Sequence, residues 1–159
     1  MSGPVWDLGD GLPPAPEPRG AYQPVAVHGT VARTAGMTPR LAGELTVVGR
    51  VGEDVDLDRA RRAAALATAN ALAAVAAAAG GIGQVERILG MTVWIAAVDG
   101  FTAHSAVADG GSEVIAAMVD GPAPARAAVG VASLPGGSPV EVALVAALRQ
   151  AASPAGATR

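Results

Sequence analysis

The chain has 159 residues, enough for one domain with a real core. It carries a net charge of −3 and no lysine/arginine run beyond "RARR" at 59–62, which excludes a general attraction to nucleic acid, and its lack of cysteine excludes disulfides, thiol chemistry and cysteine-bound metals. The charged share is 16%, below the roughly 25% usual for soluble domains, so some apolar surface is expected to meet another subunit.

In chain order, "GLPPAPEPRG" (11–20) is too rich in proline for regular structure, and residues 1–19 are expected to form an extended lead-in. Asp7, Asp10 and the proline cluster stand where a secretory signal needs an apolar stretch, and a cytoplasmic protein is expected. "PVAVHG" and "TVARTAG" are two short β-prone runs joined at His28-Gly29, a hairpin pattern. "ELTVVGRVG" (44–52) predicts a third strand. Asp54, Asp56 and Asp58 then offer N-cap and first-turn acids for an alanine-rich helix over 57–79, closed by Gly80-Gly81. Within it, "AAALATANALAAVAAAA" is broken by Thr68 and Asn70, which favours a helix in a protein core over a membrane span.

"VERILGMTVWIAAV" (85–98) predicts a buried strand with Trp94 in the core. A second helix is expected over 101–118, broken at Gly110-Gly111 and restarted with Ser112 as cap. "DGGS" (109–112) would then be a helix start, with ordinary capping favoured over anion binding. "GGIGQVE" (80–86) follows a helix and lacks a third glycine, so it predicts a C-cap and turn, not a nucleotide loop. Two strands separated by "LPGGSP" finish the domain at about residue 150, and 151–159 form a small polar tail. The order βββ-α-β-α-ββ predicts an α+β domain over 20–150, one sheet with both helices on one face. The other face has nothing left in the chain to cover it, so oligomerisation through that face is expected.

The last two strands each carry one full charge among small apolar residues, Arg126 and Glu141. Alternation places Arg126 with Ala128 and Gly130, and Glu141 with Ala143 and Val145 opposite Val140, Val142 and Leu144. Small neighbours leave room for a ligand; interface charges paired with unrelated partners give the same pattern. If the strands pair as a hairpin about "LPGGSP", the charges lie roughly 20 Å apart along the sheet. One site would then draw them from different chains. His28 and His104 have no ligand-spaced partners, so no metal is expected. Ser133 lacks a base nearby in sequence, so no nucleophilic role is expected for it.

"PARAAVGVASLPGGSPVEV" resembles the C-terminal signature of the Rid/YjgF superfamily: Ala-Arg before an alternating strand, Leu-Pro, then a strand with Val-Glu. "GAYQPVAVHGTVARTAG" is similar to that family's Gly-x-Tyr opening and strand-end glycine, and "VERILGMTVWIAAVDGF" to its central strand and loop. The resemblance covers Gly20 to Leu148. It implies a chorismate-mutase-like domain with a mixed sheet, a homotrimer with clefts between subunits, and no cofactor. It implies hydrolysis of reactive enamines or imines of the 2-aminoacrylate type to a 2-keto acid and ammonia. Arg126 would bind the small substrate's carboxylate and Glu141 would position water; Tyr22, Ala35, Gly36 and Ser105 would line the cleft. Ala35, Met37 and Ala128 stand where the family often has Ser, Gln, and Cys or a hydroxyl residue, and the loop asparagine has no clear equivalent. "VADGGSEVIAAM" is similar to a longer-helix branch. These departures motivate an alternative, a non-hydrolytic trimeric protein that binds a small molecule or tailors one in a specialised pathway. An RNA-cleaving role is disfavoured by the acidic charge and by single Tyr and Phe residues.

Overall fold

In the computed structural model, which describes residues 6–150, the longest element is the alanine helix α1, Leu57–Ala79. The Asp56 carboxylate caps it by accepting from the Arg59 N–H at 2.8 Å, and Gly80 ends it at φ 87°, a left-handed conformation that costs glycine nothing. By length and hydropathy α1 could cross a membrane, yet 67% of its most apolar window is buried inside the fold. Its two polar interruptions have structural work. Thr68 Oγ1 donates to the Ala64 carbonyl, and the buried Asn70 amide donates to the Thr38 and Arg40 carbonyls at 3.0 and 2.9 Å.

The strands β1 (Val25–His28) and β2 (Val31–Thr34) form the expected hairpin around Gly29-Thr30, with Gly29 at φ 59°. The predicted strand over 44–52 is reduced to a two-residue hairpin, β3 (Arg40–Leu41) with β4 (Glu44–Leu45), followed by bends. Gly49 and Gly52, both at positive φ, break the extended run, and Val51 keeps only isolated bridges to Val55 and Ala97. The central strand β5 is Val85–Ala96. Helix α2 is His104–Met118, and β6 (Ala125–Val131) and β7 (Val140–Leu148) complete the chain. In the lead-in, Leu8–Asp10 form a short 3-10 turn capped by Asp7, residues 11–18 carry no regular structure, and Trp6, Leu8 and Leu12 dock against the core. The expected tail at 151–159 lies outside the described residues, as do residues 1–5.

The five-stranded sheet has the order β1-β2-β7-β5-β6, antiparallel except for the parallel β5–β6 pair. This overturns the hairpin expected for the last two strands. β5 lies between β6 and β7, because α2 carries the chain back so that β6 enters parallel to β5. One face packs on the helices through Ala32, Ile88, Met91, Val93, Ile95, Val140, Val142, Leu144 and Ala146. The other face holds Val31, Thr92, Trp94, Val129, Val145 and Ala147, none of them fully buried. Trp94 therefore belongs to this open face, one register step from the helix-facing Val93 and Ile95.

Helix α2 is also unbroken at Gly110-Gly111, against expectation. These glycines are where α2 touches α1. A Cβ on Gly110 would lie 2.2 Å from the Arg61 carbonyl oxygen, and one on Gly111 would lie 2.3 Å from Thr68 Oγ1. Arg61 secures the crossing by donating to the Ala106 carbonyl at 2.8 Å and to Glu113 at 2.5 Å. Ser112 is thus a mid-helix residue, and "DGGS" offers no free N–H groups to an anion.

Candidate functional site

Glu141 lies on β7 directly opposite Trp94 of β5, so its side chain leaves the open face of the sheet. Its neighbours along β7, Val140 and Val142, are fully buried on the helix face, as the alternation required. Beside it, the segment after β2 is tied to β7 by a two-way exchange between Met37 and Val142, at 2.8 and 2.9 Å. That exchange brings Gly36 against the carboxylate. A Cβ at position 36 would stand 1.7 Å from Glu141 Oε1, so only glycine leaves the space that the side chain occupies. The Ala35 N–H donates to the Pro24 carbonyl, which holds Ala35 and Gly36 to the stretch just after Tyr22. Tyr22 is half exposed, and its hydroxyl accepts from the Arg19 N–H at 3.1 Å.

Among the described residues Glu141 has no hydrogen-bond donor and no ion-pair partner. Desolvation by burial pushes its carboxyl above the ordinary 4.5. A half-buried, unpartnered carboxylate with a raised pKa has the proton affinity that a general base for water requires.

Arg126 occupies different ground. Its partner across the parallel pair is Met91, a helix-facing residue, so Arg126 enters the groove between the edge strand β6 and α2. There its Nη1 donates to Asp109 Oδ1 at 2.7 Å and to Ser112 Oγ at 2.9 Å, and its Nη2 reaches the Ser105 carbonyl at 3.5 Å. Ser112 in turn lies 3.9 Å from Met91 Sδ. Further along the groove, the His104 ring stands over Gly130 and packs edge-on against Phe101 at 5.1 Å between centroids.

Arg126 and Glu141 are thus on opposite faces of one sheet. Their register partners on β5, Met91 and Trp94, are three residues apart. With two strand spacings between β6 and β7, the backbone separation is about 14 Å. The structure brings Gly36, Ala35 and Glu141 together at one end of the sheet, and Arg126 with Ser105 at its β6 edge. It does not bring the two sets together within one chain. Ser105 contributes its carbonyl to Arg126, not its hydroxyl.

Sequence reasoning missed Asp109 and Ser112. Ser105, Asp109 and Ser112 follow an i, i+4, i+7 spacing, which places them on one stripe of a continuous helix. The expected break at Gly110-Gly111 hid that stripe.

Separately, a cavity of about 460 Å³ lies between Pro13–Arg19 and the β3–β4 hairpin, with Asn70 among its lining residues. Neither Arg126 nor Glu141 lines it. The Arg19 and Arg40 guanidinium groups both donate to the Gly43 carbonyl at its wall.

A family model described as endoribonuclease L-PSP matches residues 13–148. The chain belongs to this family, the Rid/YjgF superfamily. A solved structure of a protein of unknown function from Agrobacterium tumefaciens is 36% identical, with a TM-score of 0.78 over 82% of this chain and 85% of that one. A candidate endoribonuclease from Shewanella oneidensis is 27% identical, with a TM-score of 0.81 over 86% and 91%. RidA from an Antarctic Psychrobacter is 26% identical, with a TM-score of 0.59 over 84% and 94%. The α+β domain with a mixed sheet and two helices is therefore the Rid/YjgF fold, and the residues around Glu141 and Arg126 lie inside the matched region.

Proposed function

We propose that this Rid/YjgF chain hydrolyses reactive enamines and imines of the 2-aminoacrylate type, releasing a 2-keto acid and ammonia. The observation that carries the reading is Glu141: an unpartnered, half-buried carboxylate held over Gly36 with its pKa raised by burial. Arg126 supplies the complementary cation, a planar fork that matches a planar carboxylate.

The chemistry balances without a cofactor. The enamine takes a proton at its terminal carbon and becomes an iminium. Water adds to the iminium carbon while Glu141 accepts the water proton. The resulting carbinolamine expels ammonia, to which Glu141 returns the proton, and its hydroxyl proton passes to solvent, matching the one the enamine took up, as the carbonyl of the keto acid forms.

Since one chain presents the two charges on opposite faces, the working cleft is proposed to join Arg126 of one subunit to Glu141 of the next, in a homotrimer. The exposed apolar residues of the open sheet face, Val31 and Val129 among them, support an interface there.

The test is keto-acid release from an enamine generated in situ by a dehydratase. Wild-type protein is expected to speed release, and Arg126→Ala to lower the effect roughly 10- to 100-fold, the usual value of a charged hydrogen-bonded contact. No acceleration, or an unaltered one in Arg126→Ala, would overturn the proposal.

A second reading, a trimeric module that binds a small molecule without turnover, is favoured by the alanines at 35 and 128 and by the Asp109 already paired with Arg126. Thermal shift with 2-keto acids, without turnover of the enamine, would select it. RNA cleavage is disfavoured by the net charge of −3. Single-stranded RNA binding that weakens with salt would revive it.

A further inference from the structure

Asp109 is the charged partner of Arg126, and neither the sequence signature nor the reaction assigns it a role. Arg126 Nη1 carries two N–H groups, and Asp109 Oδ1 and Ser112 Oγ take them at 2.7 and 2.9 Å. Nη2 has only a long contact to the Ser105 carbonyl at 3.5 Å, so the Nε–Nη2 edge is the side left to grip a ligand. Asp109 therefore does two opposed things. It fixes the donor fork, and it sets a negative charge beside the place where a ligand carboxylate would bind. Ser112 fixes the same nitrogen without adding charge.

We infer that Asp109 is a specificity-determining residue, which lowers the affinity of the Arg126 site for carboxylate ligands relative to uncharged ligands of the same shape. The inference rests on the reading of Arg126 as the ligand's anchor. Asp109 is half exposed, so its repulsion is screened but not abolished. At roughly 6 Å, with an effective dielectric of about 40 for this half-exposed pair, between surface and bulk-water screening, the repulsion corresponds to about a tenfold change in affinity.

The experiment is calorimetric titration of pyruvate and its uncharged analogue pyruvamide into wild type, Asp109→Asn, Asp109→Ala and Arg126→Ala. Asparagine keeps the acceptor for Nη1 and removes the charge; the alanine variant, with Ser112 intact, covers the case in which asparagine disturbs the helix. Pyruvate is expected to bind Asp109→Asn about tenfold more tightly than wild type, with pyruvamide unchanged. Equal changes for both ligands would show a packing effect and overturn the inference. So would no change for pyruvate while Arg126→Ala still weakens it, an outcome that leaves the hydrolase reading intact. If Arg126→Ala binds pyruvate as wild type does, or no variant binds it, the anchor reading falls and takes this inference with it.

Discussion

Glu141 and Gly36 show how one residue's chemistry depends on another's absence of a side chain. The burial that raises the Glu141 pKa means that the folded chain binds this proton more tightly than the unfolded chain does. Its cost to stability is absent below the ordinary value of 4.5 and grows as pH rises through the raised value. Glu141→Gln is therefore expected to melt higher than wild type at neutral pH, with the gap closing in acid, as read by thermal denaturation across pH. The same variant is expected to lose about 10²- to 10⁴-fold in enamine hydrolysis, the usual worth of a general base. In wild type, the acid limb of the activity profile is expected above the ordinary glutamate range, because only the ionised carboxylate accepts the water proton. Gly36→Ala drives a methyl into Glu141 Oε1, and the flexible side chain can swing away at small cost in stability. A large activity loss with an almost unchanged melting temperature is expected; unchanged activity would show that the carboxylate's position is immaterial. Both charges were legible in the sequence, since each is a lone ion in an apolar alternating run. Their faces were not, because strand order depends on non-local pairing that the alternation of one strand does not encode.

Between the helices, the sequence was legible where the signals are local and misread where they are tertiary. Asp56 and Gly80 close α1 at the expected residues because caps act within one turn. Gly110-Gly111 looked like a break because glycine weakens an isolated helix by about 1 kcal/mol each. In the fold their missing side chains let α2 approach the backbone of α1 at Arg61. Gly110→Ala sets these two effects against each other. Better helix propensity returns about 1 kcal/mol, whereas a methyl 2.2 Å from a carbonyl oxygen that cannot rotate away forces the helices apart, at about 3 kcal/mol. A net loss near 2 kcal/mol is expected, a fall in melting temperature of about 4–8 °C. Gly83→Ala, which meets nothing within 4 Å, is the control and is expected to melt as wild type does or slightly higher, since nothing opposes the small gain from replacing glycine. An unchanged melting temperature in Gly110→Ala would mean that the crossing is loosely packed.

For the whole molecule, the five-stranded sheet has one face sealed by α1 and α2 and one face left with Trp94, Val129 and Val145. The low charge content anticipated an uncovered apolar surface, and the topology locates it. If the proposed homotrimer forms through this face, Val129→Glu, which puts a charge at its edge strand, is expected to convert it to monomers in light scattering coupled to gel filtration. A trimeric mass retained in the variant would place the interface elsewhere. Because Arg126 and Glu141 lie on opposite faces within one chain, the proposed reaction carries a sharper demand, that its site draws on two subunits. The direct measurement is subunit complementation: Arg126→Ala and Glu141→Gln proteins are co-expressed in equal amounts, and enamine hydrolysis is compared with each variant alone. With random assortment, about a quarter of the clefts regain both residues, so about a quarter of wild-type activity is expected. A mixture no more active than the variants separately would contradict a shared site.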